Sequence, residues 1–250
     1  FTCDKPVELT LYVRHPFWAA AGIEIAVNGQ KQAAASKPGS YAGIAREWKT
    51  GDTVEVKLPM SLRTEGFRDN PRKLAILYGP LVLCAEADPG KPFPAVVAQS
   101  SEELLAAVRP VKGPALRFEA SPAVFRTVGQ QAERGLTLLP FYQEYQKPYV
   151  VYWDWLDEAQ WQARLDQYKA EQARHKALAD RTVDQVVIGD EQSERGHALA
   201  GEKMGSGEFG GRRWRHAPDG GWFSYQMKVP ADKPAELLCT YWGSDVGPRV

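Results

Sequence analysis

The stretch Ile23-Glu24-Ile25-Ala26-Val27-Asn28-Gly29 decides the fold class. Ile23, Ile25 and Val27 alternate with Glu24 and Ala26, the period of a strand with one buried face. Asn28-Gly29 then offers the two positive φ values of a tight type I′ hairpin turn. The same alternation lies on both sides. Upstream, Val7, Leu9, Leu11 and Val13 alternate with Glu8, Thr10 and Tyr12. Downstream, Val54, Val56 and Leu58 alternate with Glu55 and Lys57, after a Thr50-Gly51-Asp52 turn. Leu74–Tyr78 and Leu81–Ala85 flank Gly79-Pro80. Short strands separated by Gly, Pro and Asn turns, with no long helices between them, predict an antiparallel sandwich.

Farther along, Pro89, Pro92 and Pro94 mark a loop. Ser100 and Glu103 are spaced as a capping box and predict a short helix over Leu104–Val108, ended by Pro110. Strands are expected again at Leu116–Glu119, Val124–Val128, Leu136–Leu139 and Tyr149–Trp153. From Leu156 to Asp180 the chain is charged, Ala-rich and free of Gly and Pro. Trp161, Leu165 and Tyr168 form one apolar stripe there, as on a helix laid along a neighbouring body. Strand patterns return at Val183–Ile188, Phe223–Val229 and residues 236–242. The expected fold is therefore all-β, with two antiparallel β-sandwich or jelly-roll modules joined by one long helix. The expected boundaries are 1–155, 156–181 and 182–250. The last module reads as incomplete, since Val250 stands where a further strand would begin. Its unpaired edge is expected to be the less ordered half or to pair with another chain.

The 250 residues carry 31 basic and 31 acidic side chains, a net charge of zero. That balance gives no basic footprint for nucleic acid and no acidic field. No apolar run reaches the ~20 residues of a membrane span. Phe1-Thr2-Cys3-Asp4-Lys5 lacks the regions of a secretory signal, and the missing initial Met is expected of a processed or truncated chain. Cys3, Cys84 and Cys239 are far apart and read as three free thiols without zinc.

Gly205-Ser206-Gly207-Glu208-Phe209-Gly210 has GxGxxG spacing. It neither follows a parallel strand nor opens a helix, so it reads as a turn and not a dinucleotide site. Glu194 and His197 could ligate a metal or hold a turn by hydrogen bonds, and the turn reading is favoured. Trp153-Asp154-Trp155 sets a carboxylate between two indoles, the residue types of a sugar site. Alternation is expected to bury one indole and expose the other. Trp214 and Trp222 join them as candidate carbohydrate contacts within the aromatic-rich 209–242 region. No local arrangement of catalytic residues stands out.

Several stretches occur together in a telling order. They are Arg14-His15-Pro16-Phe17-Trp18, Val27-Asn28-Gly29, Gly39-Ser40-Tyr41, Arg46-Glu47-Trp48-Lys49-Thr50-Gly51-Asp52, Leu58-Pro59-Met60 and Ala75-Ile76-Leu77-Tyr78-Gly79-Pro80-Leu81-Val82. Over about residues 5–155 the chain resembles the C-terminal β-sandwich region of glycoside hydrolase family 127, the β-L-arabinofuranosidase-like proteins. Leu139-Pro140-Phe141-Tyr142 through Tyr152-Trp153 is similar to the end of that region. The tail resembles a galactose-binding-like domain of unknown function appended to some of those proteins. Gln192-Ser193-Glu194, His197 and Gly220-Gly221-Trp222-Phe223-Ser224-Tyr225 carry that likeness.

The resemblance implies a parent that cleaves plant-type carbohydrate with an upstream (α/α)6 barrel. There a cysteine nucleophile sits in a zinc-bound cysteine cluster with a glutamate ligand. No position of this sequence matches that cluster, so no catalytic residue is carried over, and zinc is expected only in the catalytic domain. The expected role is a non-catalytic accessory fragment that braces or extends the barrel. The alternatives are an independent carbohydrate-binding module and a purely structural or assembly module. The expected partners are the upstream catalytic domain, carbohydrate and, through the tail module, a second copy, with a secreted or periplasmic parent.

Overall fold

In a computed structural model, which describes residues 1–33, 35–130 and 135–241, the alternating Val7–Arg14 forms β1. It is followed by Glu24–Val27 (β2), Gln30–Lys31 (β3), Tyr41–Trp48 (β4) and Val54–Lys57 (β5). Asn28 and Gly29 have φ of 50° and 76° and close the two-residue hairpin between β2 and β3. β1 pairs with β4 as a ribbon, and β3-β2-β5 form a three-stranded sheet. Their apolar sides meet around Ile25, Val27, Ala42, Ile44 and Trp48. Trp48 is fully buried; its indole N–H donates to Leu9 O, and the Phe1 ring stacks on it at 4.3 Å. Two turns are clasped together, for Asn28 Nδ2 donates to Asp52 Oδ1 at 2.8 Å and Thr53 N donates to Asn28 Oδ1. Lys49 N donates to the other oxygen of Asp52, and these hydrogen bonds hold its carboxyl below the usual range.

The larger sheet is built from Leu62–Gly66 (β6), Lys73–Tyr78 (β7), Leu81–Glu86 (β8) and Ala95–Val97 (β9). After the helix Ser101–Ala106 (α1) come Val108–Val111 (β10), Arg117–Ala120 (β11), Phe125–Arg126 (β12), Leu136–Pro140 (β13), Tyr149–Val150 (β14) and Tyr152–Leu156 (β15). The strand order is β10-β11-β13-β8-β7-β15-β9-β12, with β14 on β8 and β6 on β7. Leu74, Ala75, Ile76 and Leu77 are all buried, so this run is covered on both faces rather than alternating. All pairs are antiparallel except β15 with β9. Phe118, Phe125, Leu138 and Trp153 fill the core, with Phe125 edge-on to Trp153 at 5.2 Å.

The capping box is real but shifted. Ser100 Oγ accepts from Glu103 N, while Glu103 reaches back to Gln99 N. α1 ends at Ala106, and Pro110, expected to stop it, lies inside edge strand β10. The expected strand at Val124–Val128 shrinks to Phe125–Arg126.

The long helix runs Glu158–Arg181 (α2). Trp161, Leu165 and Tyr168 pack as one stripe on Ala95, Val97, Val128 and Leu156. The Tyr168 ring crosses Gly129, where φ is +75° and an added Cβ would stand 2.3 Å from the hydroxyl oxygen. Among the described residues no helix is long and apolar enough to cross a membrane.

The chain divides inside α2 into two units, Phe1–Lys169 and Ala170–Val250. The second holds Glu191–Gly196 (α3), Ala200–Glu202 (β16), Gly205–Phe209 (β17), Arg212–His216 (β18) and Trp222–Ser224 (β19). β16 pairs with β19 and β17 with β18, each as a separate ribbon. The fold is all-β with few helices. Two expectations fail in this unit. Val183–Ile188 forms no strand, because the next residues start α3 and Val187 N is held by Ser193 Oγ at 2.9 Å. Residues 236–241 form none either, and only Phe223 and Ser224 of the expected Phe223–Val229 strand are paired. Trp242 and Val250 lie outside the described residues.

Candidate functional site

The Trp153-Asp154-Trp155 triplet turns its two indoles toward the core. Residues i and i+2 of a strand share a face, so the two indoles point the same way. Trp153 is fully buried, and Trp155 is half-buried with its N–H donating to Ala98 O at 2.8 Å. The expectation that one would be exposed is corrected by that geometry. Asp154 is on the opposite face and accepts from Lys73 Nζ at 2.8 Å and Arg164 Nη2 at 2.7 Å. Burial works against its carboxylate, yet those two hydrogen bonds hold it below the usual range.

The tail residues converge instead. Asp190 caps α3 by accepting from Ser193 N at 2.8 Å. This aims Glu194 inward, where it is buried. Arg215 of β18 grips it with both prongs, Nε to Oε1 at 2.8 Å and Nη2 to Oε2 at 2.7 Å. Tyr225 adds a hydroxyl donor at 2.8 Å. Arg215 first, with help from Tyr225 and against the cost of burial, takes the Glu194 carboxyl down to about 2.

His197 follows at the helix end. Its Nδ1 lies 2.6 Å from Ser193 O and its Nε2 lies 3.0 Å from Asp184 Oδ1. Two acceptors favour the doubly protonated ring, and the Ser193 carbonyl and then Asp184 raise its pKa. Lys228 N donates to Asp184 Oδ2 at 2.7 Å, and this bond, followed by that from His197, lowers Asp184 to about 2. A shallow cavity of about 390 Å³ opens beside them, lined in part by Asp190, Gln192, His197 and Lys228.

Glu194 and His197 were metal candidates by sequence. Here each is engaged on every polar side-chain atom, Glu194 with the distant Arg215 and Tyr225 and His197 with Ser193 and Asp184. Among the described residues no group of three or more His, Cys, Asp or Glu could hold a metal ion. The thiols do not fit a zinc cluster: Cys3, Cys84 and Cys239 are all free, and burial pushes the Cys84 thiol up to about 11. A cysteine that ligates zinc must instead be a thiolate. Arg215 and Asp184, central to this cluster, escaped sequence reading.

Trp214 and Trp222 are the exposed indoles of the original set, at 42% and 48%. They sit on different ribbons, in β18 and β19.

Residues 1–60 match the family described as beta-L-arabinofuranosidase, GH127 middle domain. Residues 177–250 match DUF6805, a family of unknown function. No curated protein matches the chain. Among solved structures, one described as a glycoside hydrolase aligns at 20% identity over 59% of this chain and 28% of its own, with TM-score 0.45. A GH127 beta-arabinofuranosidase aligns at 20% identity over 61% and 28%, with TM-score 0.43. A GH127 beta-L-arabinofuranosidase from Geobacillus stearothermophilus T6 aligns at 22% over 62% and 28%, with TM-score 0.44. The chain thus spans 28% of the length of those proteins. Over residues 1–60 the matched segment is described as the family's middle domain, where the sequence reading named its C-terminal β-sandwich region. At one end, then, the chain carries a segment similar to the GH127 middle domain, and at the other a segment similar to DUF6805.

Proposed function

We propose that this chain is the accessory β portion of a glycoside hydrolase of the β-L-arabinofuranosidase type, acting on plant-type carbohydrate. It braces or extends a catalytic domain that lies outside these 250 residues. The match of residues 1–60 to the GH127 middle domain carries this reading.

The test is an assay of the 250-residue chain on aryl β-L-arabinofuranosides, alone and mixed with the parent's catalytic domain. No turnover alone, and a gain in thermal stability or turnover of the catalytic domain on mixing, is expected. Turnover by the chain alone that survives repurification and is abolished by a substitution within it would overturn the reading.

A further inference from the structure

The ribbon of β17 and β18 has two unlike faces. Gly205 pairs with His216, Gly207 with Trp214 and Glu208 with Arg213. Opposite residues share a face and successive residues change it. Arg213 and Arg215 therefore point one way, toward the segment before and within α3, where Arg213 Nη1 donates to Gly189 O and Arg215 grips Glu194. Gly205, Gly207, Phe209, Arg212, Trp214 and His216 share the other face.

On that face two rings lie folded across the partner strand. A Cβ at position 207 would stand 2.4 Å from Trp214 Cζ2, and one at 205 would stand 2.7 Å from His216 Cε1. Only glycine leaves room for the rings to lie on the backbone. The ring centroids are 5.2 Å apart and the planes tilt by 53°. Trp214 keeps 42% of its surface exposed. The first two glycines of the GxGxxG spacing thus have a steric purpose.

We infer that the Trp214–His216 face is a carbohydrate-binding platform. The inference rests on the glycoside-hydrolase reading above and names its ligand class. An indole fixed from beneath by glycine loses little freedom when a ligand covers its open side. The negative face of the ring attracts the weakly positive C–H groups on one side of a sugar. Arg212 and His216 on the same face supply N–H donors for ring-edge hydroxyls.

The test is calorimetric titration of the chain with arabino-, xylo- and cello-oligosaccharides, with the indole N–H signals followed by NMR. A saturable site that shifts the Trp214 indole is expected. Trp214→Ala should weaken it by about tenfold or more, while Trp214→Phe retains part of the affinity and Trp222→Ala all of it. Gly207→Ala, which displaces the ring without touching the sugar, should weaken it as well. Absence of saturable binding to any of the three, or undiminished binding by a folded Trp214→Ala chain, would overturn the platform. The accessory reading would survive that result, since its own test is the catalytic mixture. Binding of cello-oligosaccharides alone, through Trp214, would support the platform and count against the arabinofuranosidase parentage.

Discussion

Glu194 and Arg215 meet as a two-pronged ion pair, at 2.8 and 2.7 Å, with side chains only 6% and 10% exposed. The pair joins α3 to β18, and Tyr225 adds the segment after β19 through the same carboxylate. Removing one partner strands a buried charge. Arg215→Ala should destabilise the second unit by about 3 kcal/mol, and Tyr225→Phe by about 1 kcal/mol. Urea unfolding followed at the exposed indoles of this unit measures both. A loss below about 0.5 kcal/mol for Arg215→Ala would show the pair to be a surface ornament.

Stability of the same unit should depend on pH in a bell. Asp184 and Glu194 titrate at about 2 in the folded chain, against ordinary values of 3.8 and 4.5. Their contribution is full above pH 4.5 and is lost as pH falls toward about 2. His197 moves oppositely: its pKa is raised above 6.5, so its contribution is full below that pH and is lost as pH rises through the raised value. These groups place the maximum between about pH 4.5 and 6.5. His197→Gln should flatten the alkaline side and, by removing one of the bonds that lower Asp184, also weaken part of the acid limb. An alkaline decline equal to that of the parent chain would assign it to another group.

Trp161 is the anchor of the α2 stripe, buried against Val97, Val128 and Leu156. Trp161→Ala should cost about 3 kcal/mol of the first unit's stability. Gly129→Ala should act on the same seam from the other side, since it both meets the Tyr168 ring and occupies a positive φ. Thermal unfolding of the two variants reports on it, and unchanged midpoints would mean a helix that merely passes by.

The three thiols should react in order of exposure. Cys239 is exposed, Cys3 is half-buried and Cys84 is buried. Burial, and then the nearby Glu144 and Glu86, push the Cys84 thiol up to about 11, so almost no thiolate exists there at neutral pH. A disulfide reagent should label two thiols in the native chain and three after denaturation. Rapid labelling of Cys84 would show that β8 opens readily.

What could be read from sequence was local. Asn28-Gly29 needs only its own two φ values to make a hairpin, and the Trp161, Leu165, Tyr168 spacing needs only the helical period. What could not be read was long-range or in conflict. Glu194 finds Arg215 and Tyr225 at separations of 21 and 31 residues, with no periodic signal to link them. Val186-Val187-Ile188 has strand chemistry, but Asp190 and Ser193 begin a helix too soon after it for a strand to pair. Trp153 and Trp155 were misplaced by a period argument; two residues apart on a strand, they face the same core. The capping box called α1 correctly and Pro110 misled, because a proline that stops a helix also fits an edge strand.

Pro110 has a second meaning in that position. β10 is the outermost strand of the larger sheet at that end, and Pro110 faces Phe118 of β11 across the ladder. Any strand arriving from another molecule would find one donor missing and a ring in its path. Arg109, Pro110 and Val111 are all exposed, so the obstacle stands where an incoming strand would dock. A chain with this many strands, in a crowded solution, needs a place where lateral growth stops, and at this border of the sheet a single imino acid supplies it.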